Sequence, residues 1–337
     1  MKTYLDKLKN VYDVKFNGEY VVIAHTKLHI LRPDGALVAC RGDLGYASRI
    51  TFLSGNRMLL SSNKNVFHMI DLVTGEDLWT APYIKSNLNI SPIAISPNEK
   101  FAYTYDDCTG RKYTNRFISQ LNLETHEFEI ADMFQDVGAS RDICCEDETT
   151  PCLLKTVIES IGGVSYLISG VRLHDFFCGD AQCTTKWKTK WHTALPCPSP
   201  LGFFGSTDKI ITTNLHIFTP STGEDTDLLE NETMFRLPVE ETKDSPIDCW
   251  LDHTGQYLCV QFQTGNIIID LQGRKVAAAY ACDYKQGCLI GNEYWLGTEH
   301  GIVRKPFPVF EEIPAYNPVL STMKAATALY AKHPELW

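Results

Sequence analysis

Apolar and polar residues alternate along most of the chain, from Val11 to Val309, in short runs separated by turn-forming residues. Alternation with a period of two is typical of β-strands, whereas an amphipathic helix repeats every 3.6 residues. Several turns carry Gly where two strands meet, and Asn17-Gly18 is a strong hairpin signal. The pattern therefore predicts an all-β protein made of short antiparallel strands.

The predicted strands recur as a repeat. Five segments share a β-rich run that is closed by a short polar turn: 28–35, 66–75, 117–125, 215–223 and 266–273. An upstream hairpin precedes several of them and completes a unit of four strands. The units start near Tyr12, Ser48, Ser91, Ser140, Ser199, Ser245 and Lys285. A period of about 40–50 residues with four strands per unit predicts a seven-bladed β-propeller of four-stranded antiparallel blades.

We expect residues 1–310 to form this propeller, although its last unit offers only three strands. The segment from Thr3 to Leu8 is predicted to supply the missing outer strand, which would close the ring and leave no sheet edge exposed. The alternative is a frayed N-terminal helix, since chain termini are poorly ordered unless they are tied down.

Residues 311–337 are predicted to form a C-terminal tail with one short α-helix. Asn317 is a good N-cap, Pro318 suits the first helical turn, and Pro334 ends the helix. The helix packs on the propeller face or serves as a docking helix for a partner.

Two known repeat families share local motifs with the chain. The run from Asp71 to Trp79 resembles the Asp-x-x-Thr-Gly-x-x-x-Trp repeat of quinoprotein-like (PQQ-type) propellers. The hairpin from Ile93 to Tyr103 and the run from His253 to Leu258 are similar to YVTN and WD40 repeats. The resemblance implies the propeller fold. It implies no quinone, because no set of positions maps onto the residues that hold that group, and we predict no cofactor.

Composition narrows the choice of partners. The net charge is −10, with 44% hydrophobic and 21% charged residues, which is ordinary for a soluble globular protein. This balance offers no excess of basic charge for phosphate backbones or anionic lipids. No apolar stretch is long enough to cross a bilayer. We therefore expect another protein as the partner, cationic or of mixed charge, and neither nucleic acid nor membrane.

The first nine residues lack the apolar run of a secretory signal peptide. This absence predicts a cytoplasmic location, where the twelve cysteines would be reduced thiols rather than a disulfide framework.

Motif searches point to no catalytic residues. The sequence has no Walker loop, no Gly-x-Ser-x-Gly elbow, no His-Glu-x-x-His and no dinucleotide-binding Gly-x-Gly-x-x-Gly. The fourth unit, the longest of the seven, concentrates thiols and imidazoles: Cys144, Cys145, Cys152, Cys178, Cys183, Cys197, His174 and His192. These are the ligand types of zinc, but the usual Cys-x-x-Cys spacing is missing. Buried or incidental thiols are the alternative, and we predict no metal.

The same unit contains alternating lysines and tryptophans. In a strand, Lys186, Lys188 and Lys190 share one face, while Trp187 and Trp191 share the other. The lysines are a candidate partner-binding patch; alternatively they are the solvated face of an outer strand.

Three histidines recur at matching positions of the repeat: His29, His68 and His216. Recurrence at one structural position favours a packing role within each blade.

The leading hypothesis is a non-catalytic propeller scaffold that mediates protein–protein interaction, since loops on a rigid scaffold usually carry recognition. The alternative is an enzyme, a lyase or hydrolase, with a small-molecule site at the mouth of the central channel. A sensor domain within a larger assembly is a third possibility with the same sequence signature as the first.

Overall fold

A computed structural model describes much of the chain, with gaps. The described residues are 8, 11, 13–24, 26–45, 47–62, 66–82, 93–95, 99–109, 114–135, 140–145, 154–159, 165–170, 189–194, 200–203, 210–212, 215–219, 222, 224–229, 246, 248–282, 286–298 and 300–313. The regular elements in these ranges are all β-strands, and the described residues contain no helix. The described part of the protein is therefore all-β, as the alternation predicts.

The strands form seven antiparallel sheets, each of which follows chain order. Sheet one contains β1 (Asp13–Phe16), β2 (Val21–Ala24), β3 (Leu28–Leu31) and β4 (Leu37–Arg41). Sheet two contains β5 (Ala47–Leu53), β6 (Arg57–Ser62), β7 (Val66–Asp71) and β8 (Asp77–Pro82). Sheet three contains β9 (Ile93–Ile95), β10 (Phe101–Thr109), β11 (Thr114–Asn122) and β12 (Phe128–Gln135). Sheet four contains β13 (Ser140–Cys145), β14 (Leu154–Glu159), β15 (Ser165–Gly170) and β16 (Thr189–Ala194).

The remaining three sheets follow the same plan, except that the last is shorter. Sheet five contains β17 (Pro200–Phe203), β18 (Ile210–Thr212), β19 (His216–Thr219) and β20 (Glu224–Asp227). Sheet six contains β21 (Asp248–Leu251), β22 (Tyr257–Gln261), β23 (Gly265–Asp270) and β24 (Lys275–Ala281). Sheet seven contains three strands, β25 (Gly287–Ile290), β26 (Glu293–Thr298) and β27 (Gly301–Pro306). Each sheet begins close to a starting point that the repeat predicts.

Sheet one packs face to face against both sheet two and sheet seven, which explains why strands such as β2 are buried along their whole length. Val22 of β2 lies in a core between sheets one and two, whereas its neighbours Val21 and Ile23 lie in a core between sheets seven and one. Alternate side chains of a strand point to opposite faces, so a strand covered on both faces reads as a continuous apolar run. Further cores lie between sheets two and three, five and six, and six and seven.

The first strands of the sheets also contact one another. β5 contacts β9, β9 contacts β13, β13 contacts β17, and β17 contacts β21. The first strand of the chain, β1, contacts β25 of the last sheet. These contacts join sheets two to six in chain order and join sheet one to sheet seven.

The turn after β7 shows why the quinoprotein-like motif has its residue types. Asp71 accepts a hydrogen bond from the N–H of Val73 at 2.8 Å, and its carbonyl accepts one from the N–H of Gly75 at 2.7 Å. Gly75 has φ +76°, and a Cβ at this position would lie 2.1 Å from the Cβ of Ala39. Glycine is therefore required both by the turn and by the approach of sheet one to sheet two.

After β27 the chain runs along the outer edge of sheet six, a feature that the sequence did not predict. The N–H of Ala279 donates to the carbonyl of Val309, and the N–H of Glu311 donates to the carbonyl of Ala279, both at 2.9 Å. The carboxylate of Glu311 accepts a hydrogen bond from the N–H of Ala281 at 2.9 Å and pairs with Lys305 at 2.6 Å. This segment covers the free edge of β24.

Two predicted elements lie outside the described residues: most of the N-terminal strand Thr3–Leu8, and the helix Val319–Lys332 of the C-terminal tail. In the described ranges, no helix has the length and apolar character needed to span a membrane.

Candidate functional site

A cleft of about 700 Å³ opens where turns of sheets one, six and seven meet. It is lined by the β1–β2 and β3–β4 turns of sheet one and the β21–β22 turn of sheet six. The β25–β26 turn of sheet seven and Phe307, just after β27, complete the lining. Residues almost three hundred positions apart are thus brought together by the packing of sheet seven against its two neighbours.

Two pairs of aromatic rings form the apolar part of the cleft. Phe16 meets the imidazole of His253 edge-on, with ring centroids 4.7 Å apart. Tyr257 and Phe307 form a second edge-on pair at 5.2 Å. A Cβ on Gly18, which has φ +100°, would lie 3.2 Å from Cδ2 of His253, so the glycine leaves room for the imidazole.

Asp252 shapes the β21–β22 turn. One carboxylate oxygen accepts hydrogen bonds from the N–H and the hydroxyl of Thr254, at 3.2 and 2.6 Å. The other oxygen accepts a hydrogen bond from the N–H of Tyr257 at 2.8 Å. The side chain is only 3% exposed. Because both oxygens are engaged by the turn, Asp252 positions His253 and Tyr257.

Asp34 and Glu293 add negative charge to that of Asp252 in the lining of the cleft. One oxygen of Asp34 accepts a hydrogen bond from the N–H of Ala36 at 2.9 Å. One oxygen of Glu293 accepts a hydrogen bond from the indole N–H of Trp295 at 3.0 Å. The described residues that line the cleft include no Lys or Arg.

Arg32 directly precedes Pro33 and Asp34 of the cleft, but its guanidinium is already paired. It contacts Glu19 at 2.7 Å and lies over the ring of Tyr20 at 4.3 Å. Hydrogen bonds from Arg32 lower the pKa of Glu19. This pair is therefore locally neutral and does not offset the two carboxylates of the cleft.

A second charged cluster joins the outer parts of sheets one and two. Arg41 contacts Asp43 at 2.7 Å and Asp77 at 2.9 Å, and it donates to the carbonyl of Gly75 at 3.0 Å. Hydrogen bonds from Arg41 lower the pKa of Asp43 to about 2. Asp77 also contacts Nδ1 of His68 at 3.1 Å. The charges of this cluster satisfy one another, so its role is to join the two sheets.

The recurring histidines act within their own sheets, as their spacing predicts. His68 bonds Asp77 in sheet two, and His216 contacts Asp225 at 3.1 Å and Asp227 at 2.7 Å in sheet five. His29 of sheet one is 2% exposed. His68 and His216 therefore make polar contacts within their own sheets, and the predicted packing role fits the largely buried His68.

The predicted partner-binding lysines fall mostly outside the described residues. Lys186 and Lys188 lie there, and Lys190 lies in β16, the outer strand of sheet four, where only the backbone is described. The lysine patch therefore stays a prediction.

The cysteine-rich fourth unit is described only in part. Cys144 and Cys145 lie in β13 and His192 lies in β16, while the other five thiols and imidazoles lie outside the described residues. Within the described part of the chain, no group of three or more His, Cys, Asp or Glu side chains is placed to hold a metal ion.

Local sequence signals do not identify the cleft residues. Asp34, His253 and Glu293 read as ordinary turn residues of three different units. The predicted ring offered the one signal for the cleft, because ring closure makes units six, seven and one neighbours and so brings their turns together.

A scan against protein-family models finds no match to the chain, and a search of curated proteins also finds none.

Proposed function

We propose that the seven sheets are the blades of a closed seven-bladed β-propeller. Three observations support a ring: the contacts between the first strands of sheets two to six, the contact of β1 with β25, and the core between sheets seven and one. The N–H of Val11 also donates to the carbonyl of Thr298 at 3.1 Å, which joins the two ends of the repeat. A linear stack of sheets has no reason to place its first and last members together.

On this scaffold we propose a non-catalytic protein-binding function, with the cleft as the recognition site. The observation that carries this proposal is the cleft between three sheets, walled by aromatic rings and bordered by exposed turns. Aromatic anchors in a concave patch are typical centres of binding energy in protein interfaces. A cleft of this volume accepts side chains of a partner segment. Rigid strands hold the turns in place, as recognition loops require.

A cytoplasmic location belongs to the same proposal. In the described part of the chain, the five cysteines Cys40, Cys249, Cys259, Cys282 and Cys288 carry free thiols. Free thiols are typical of proteins in a reducing compartment.

A small-molecule enzyme is the second candidate, and one observation favours it. Nδ1 of His253 lies 3.8 Å from Asp252 inside the cleft, which brings an imidazole close to a carboxylate. A catalytic dyad needs a hydrogen bond between its members. At 3.8 Å this contact is too long, and the turn already engages both oxygens of Asp252. Binding is therefore the better supported function.

Filling the cleft tests the binding proposal. Asn292 is exposed in the β25–β26 turn, and its carbonyl accepts the N–H of Phe307 through the backbone alone. The substitution Asn292→Trp adds bulk to the cleft without changing charge. We expect it to weaken capture of specific partner proteins by about tenfold, the loss typical of one blocked anchor. Quantitative affinity capture with mass spectrometry measures this loss.

The matched control is Gln272→Trp, which places the same ring in the exposed β23–β24 turn of sheet six, outside the cleft. It is expected to capture the same proteins as the wild-type chain. Equal capture by the Asn292→Trp and Gln272→Trp proteins would reject the cleft as the binding site. If the wild-type chain captures no specific protein, the scaffold function is rejected.

A further inference from the structure

We propose that the cleft receives a positively charged side chain, Arg or Lys, from a basic segment of the partner protein. This inference rests on the proposed binding function and specifies its ligand chemistry.

The charge of the cleft is the first argument. Asp34 lies in the β3–β4 turn of sheet one and Glu293 is the first residue of β26 in sheet seven, and each uses one carboxylate oxygen for a local hydrogen bond. In the described surroundings the second oxygen of each carboxylate has no protein partner. No described lining residue supplies a compensating cation. A charged donor from a partner would therefore meet two carboxylates with unused acceptor capacity.

The aromatic walls are the second argument. A cationic group is attracted to the face of an aromatic ring, and the methylene stem of Lys or Arg packs on apolar surface. Phe16, Tyr257 and Phe307 supply rings, and Leu289 and Ile290, 5% and 6% exposed, supply apolar surface at the base. A purely aliphatic side chain would use only the apolar walls, and an acidic side chain would be repelled by the two carboxylates. The combination fits a long side chain with a cationic end.

The charge of the whole chain supports the same ligand. A net charge of −10 attracts a basic segment over a distance and disfavours an acidic one. The proposal therefore predicts that added salt weakens binding.

Short peptides test the proposal without a known partner. The probes are the pentapeptide Gly-Gly-Arg-Gly-Gly, its Lys counterpart, and its citrulline counterpart, which keeps the shape of arginine but carries no charge. Ligand-observed NMR titration gives the dissociation constant of each with the full chain. We expect both cationic peptides to bind at least about fivefold more tightly than the citrulline peptide.

Charge-neutral variants locate the site. Asp34→Asn combined with Glu293→Gln keeps the acceptors for Ala36 and Trp295, and it should weaken binding of the cationic peptides at least about fivefold. The matched control, Glu76→Gln with Glu124→Gln, removes two charges from the turns of sheets two and three that correspond to the turn of Asp34. It should retain the affinity of the wild-type chain.

Three results would overturn the inference: no binding of the cationic peptides, equal binding of the citrulline peptide, or equal loss in the two double variants. The comparison of peptides uses the wild-type chain and so does not depend on the folding of a variant. If the peptides fail while Asn292→Trp still abolishes protein capture, the cleft binds a protein through other chemistry. If the peptides bind while protein capture is insensitive to Asn292→Trp, the cleft binds cationic groups but is not the site at which the captured proteins bind.

Discussion

At the scale of single residues, burial decides which thiols can react. Cys259 is 0% exposed and Cys288 is 9% exposed, and burial raises the pKa of both thiols. Cys40, in β4, is exposed. Since the thiolate is the nucleophile, a buried and protonated thiol is both inaccessible and unreactive.

We therefore expect iodoacetamide at pH 8 to alkylate Cys40 at least about tenfold faster than Cys259 or Cys288 in the folded protein. Peptide mapping by mass spectrometry at several times gives the three rates. In denaturant the three rates should converge, which controls for effects of local sequence. Equal rates in the folded protein would contradict the burial of sheets six and seven.

At the scale of elements, the open question is the outer edge of sheet seven. β27 is the last strand of a three-stranded sheet, and the predicted partner segment Thr3–Leu8 reaches the described residues only at Leu8. Leu8 is 6% exposed and packs in the core between sheets seven and one. An unpaired edge strand invites association with other chains, so pairing with the N-terminal segment would protect it.

Deletion of residues 1–7 tests this pairing and leaves Leu8 in place. We expect the amides of β27 to exchange with deuterium at least about tenfold faster in the deletion variant, because their outer hydrogen bonds are lost. The amides of β24, whose edge is covered by residues 309–311, should be unaffected. Unchanged exchange in β27 would show that another segment, or solvent, occupies that edge.

The elements also differ in whether the local sequence predicts them. The start of each sheet and the third strands β3, β7, β11, β19 and β23 were predictable, because alternation and turn residues are local signals. The pairing of Val309 and Glu311 with Ala279 was not, since nothing within residues 309–311 identifies a partner thirty residues earlier. The cleft was hidden for the same reason: the proximity of Phe16 to His253 comes from packing between sheets.

At the scale of the whole molecule, the core between sheets seven and one is the feature that distinguishes a ring from a linear stack. Trp295 of β26 is its largest fully buried member, with 0% exposure. Its indole N–H donates to Glu293 at 3.0 Å, and Arg304 lies over its ring at 4.0 Å. Val11, Val21 and Leu31 contribute to the same core from the other end of the chain.

The substitution Trp295→Ala should lower the free energy of unfolding by about 3–5 kcal/mol, the usual cost of removing a buried aromatic side chain. In the proposed ring, the loss of this packing destabilises both sheet seven and sheet one. Amides of β2 and β3 in sheet one should therefore lose protection from hydrogen exchange together with those of sheet seven. Leu78→Ala, at a position 53% exposed in sheet two, should change the stability by no more than about 0.5 kcal/mol. Denaturant unfolding and hydrogen exchange measure the two effects. Loss of protection confined to sheet seven would mean that the ends of the repeat are not cooperatively joined, and the ring would have to be abandoned.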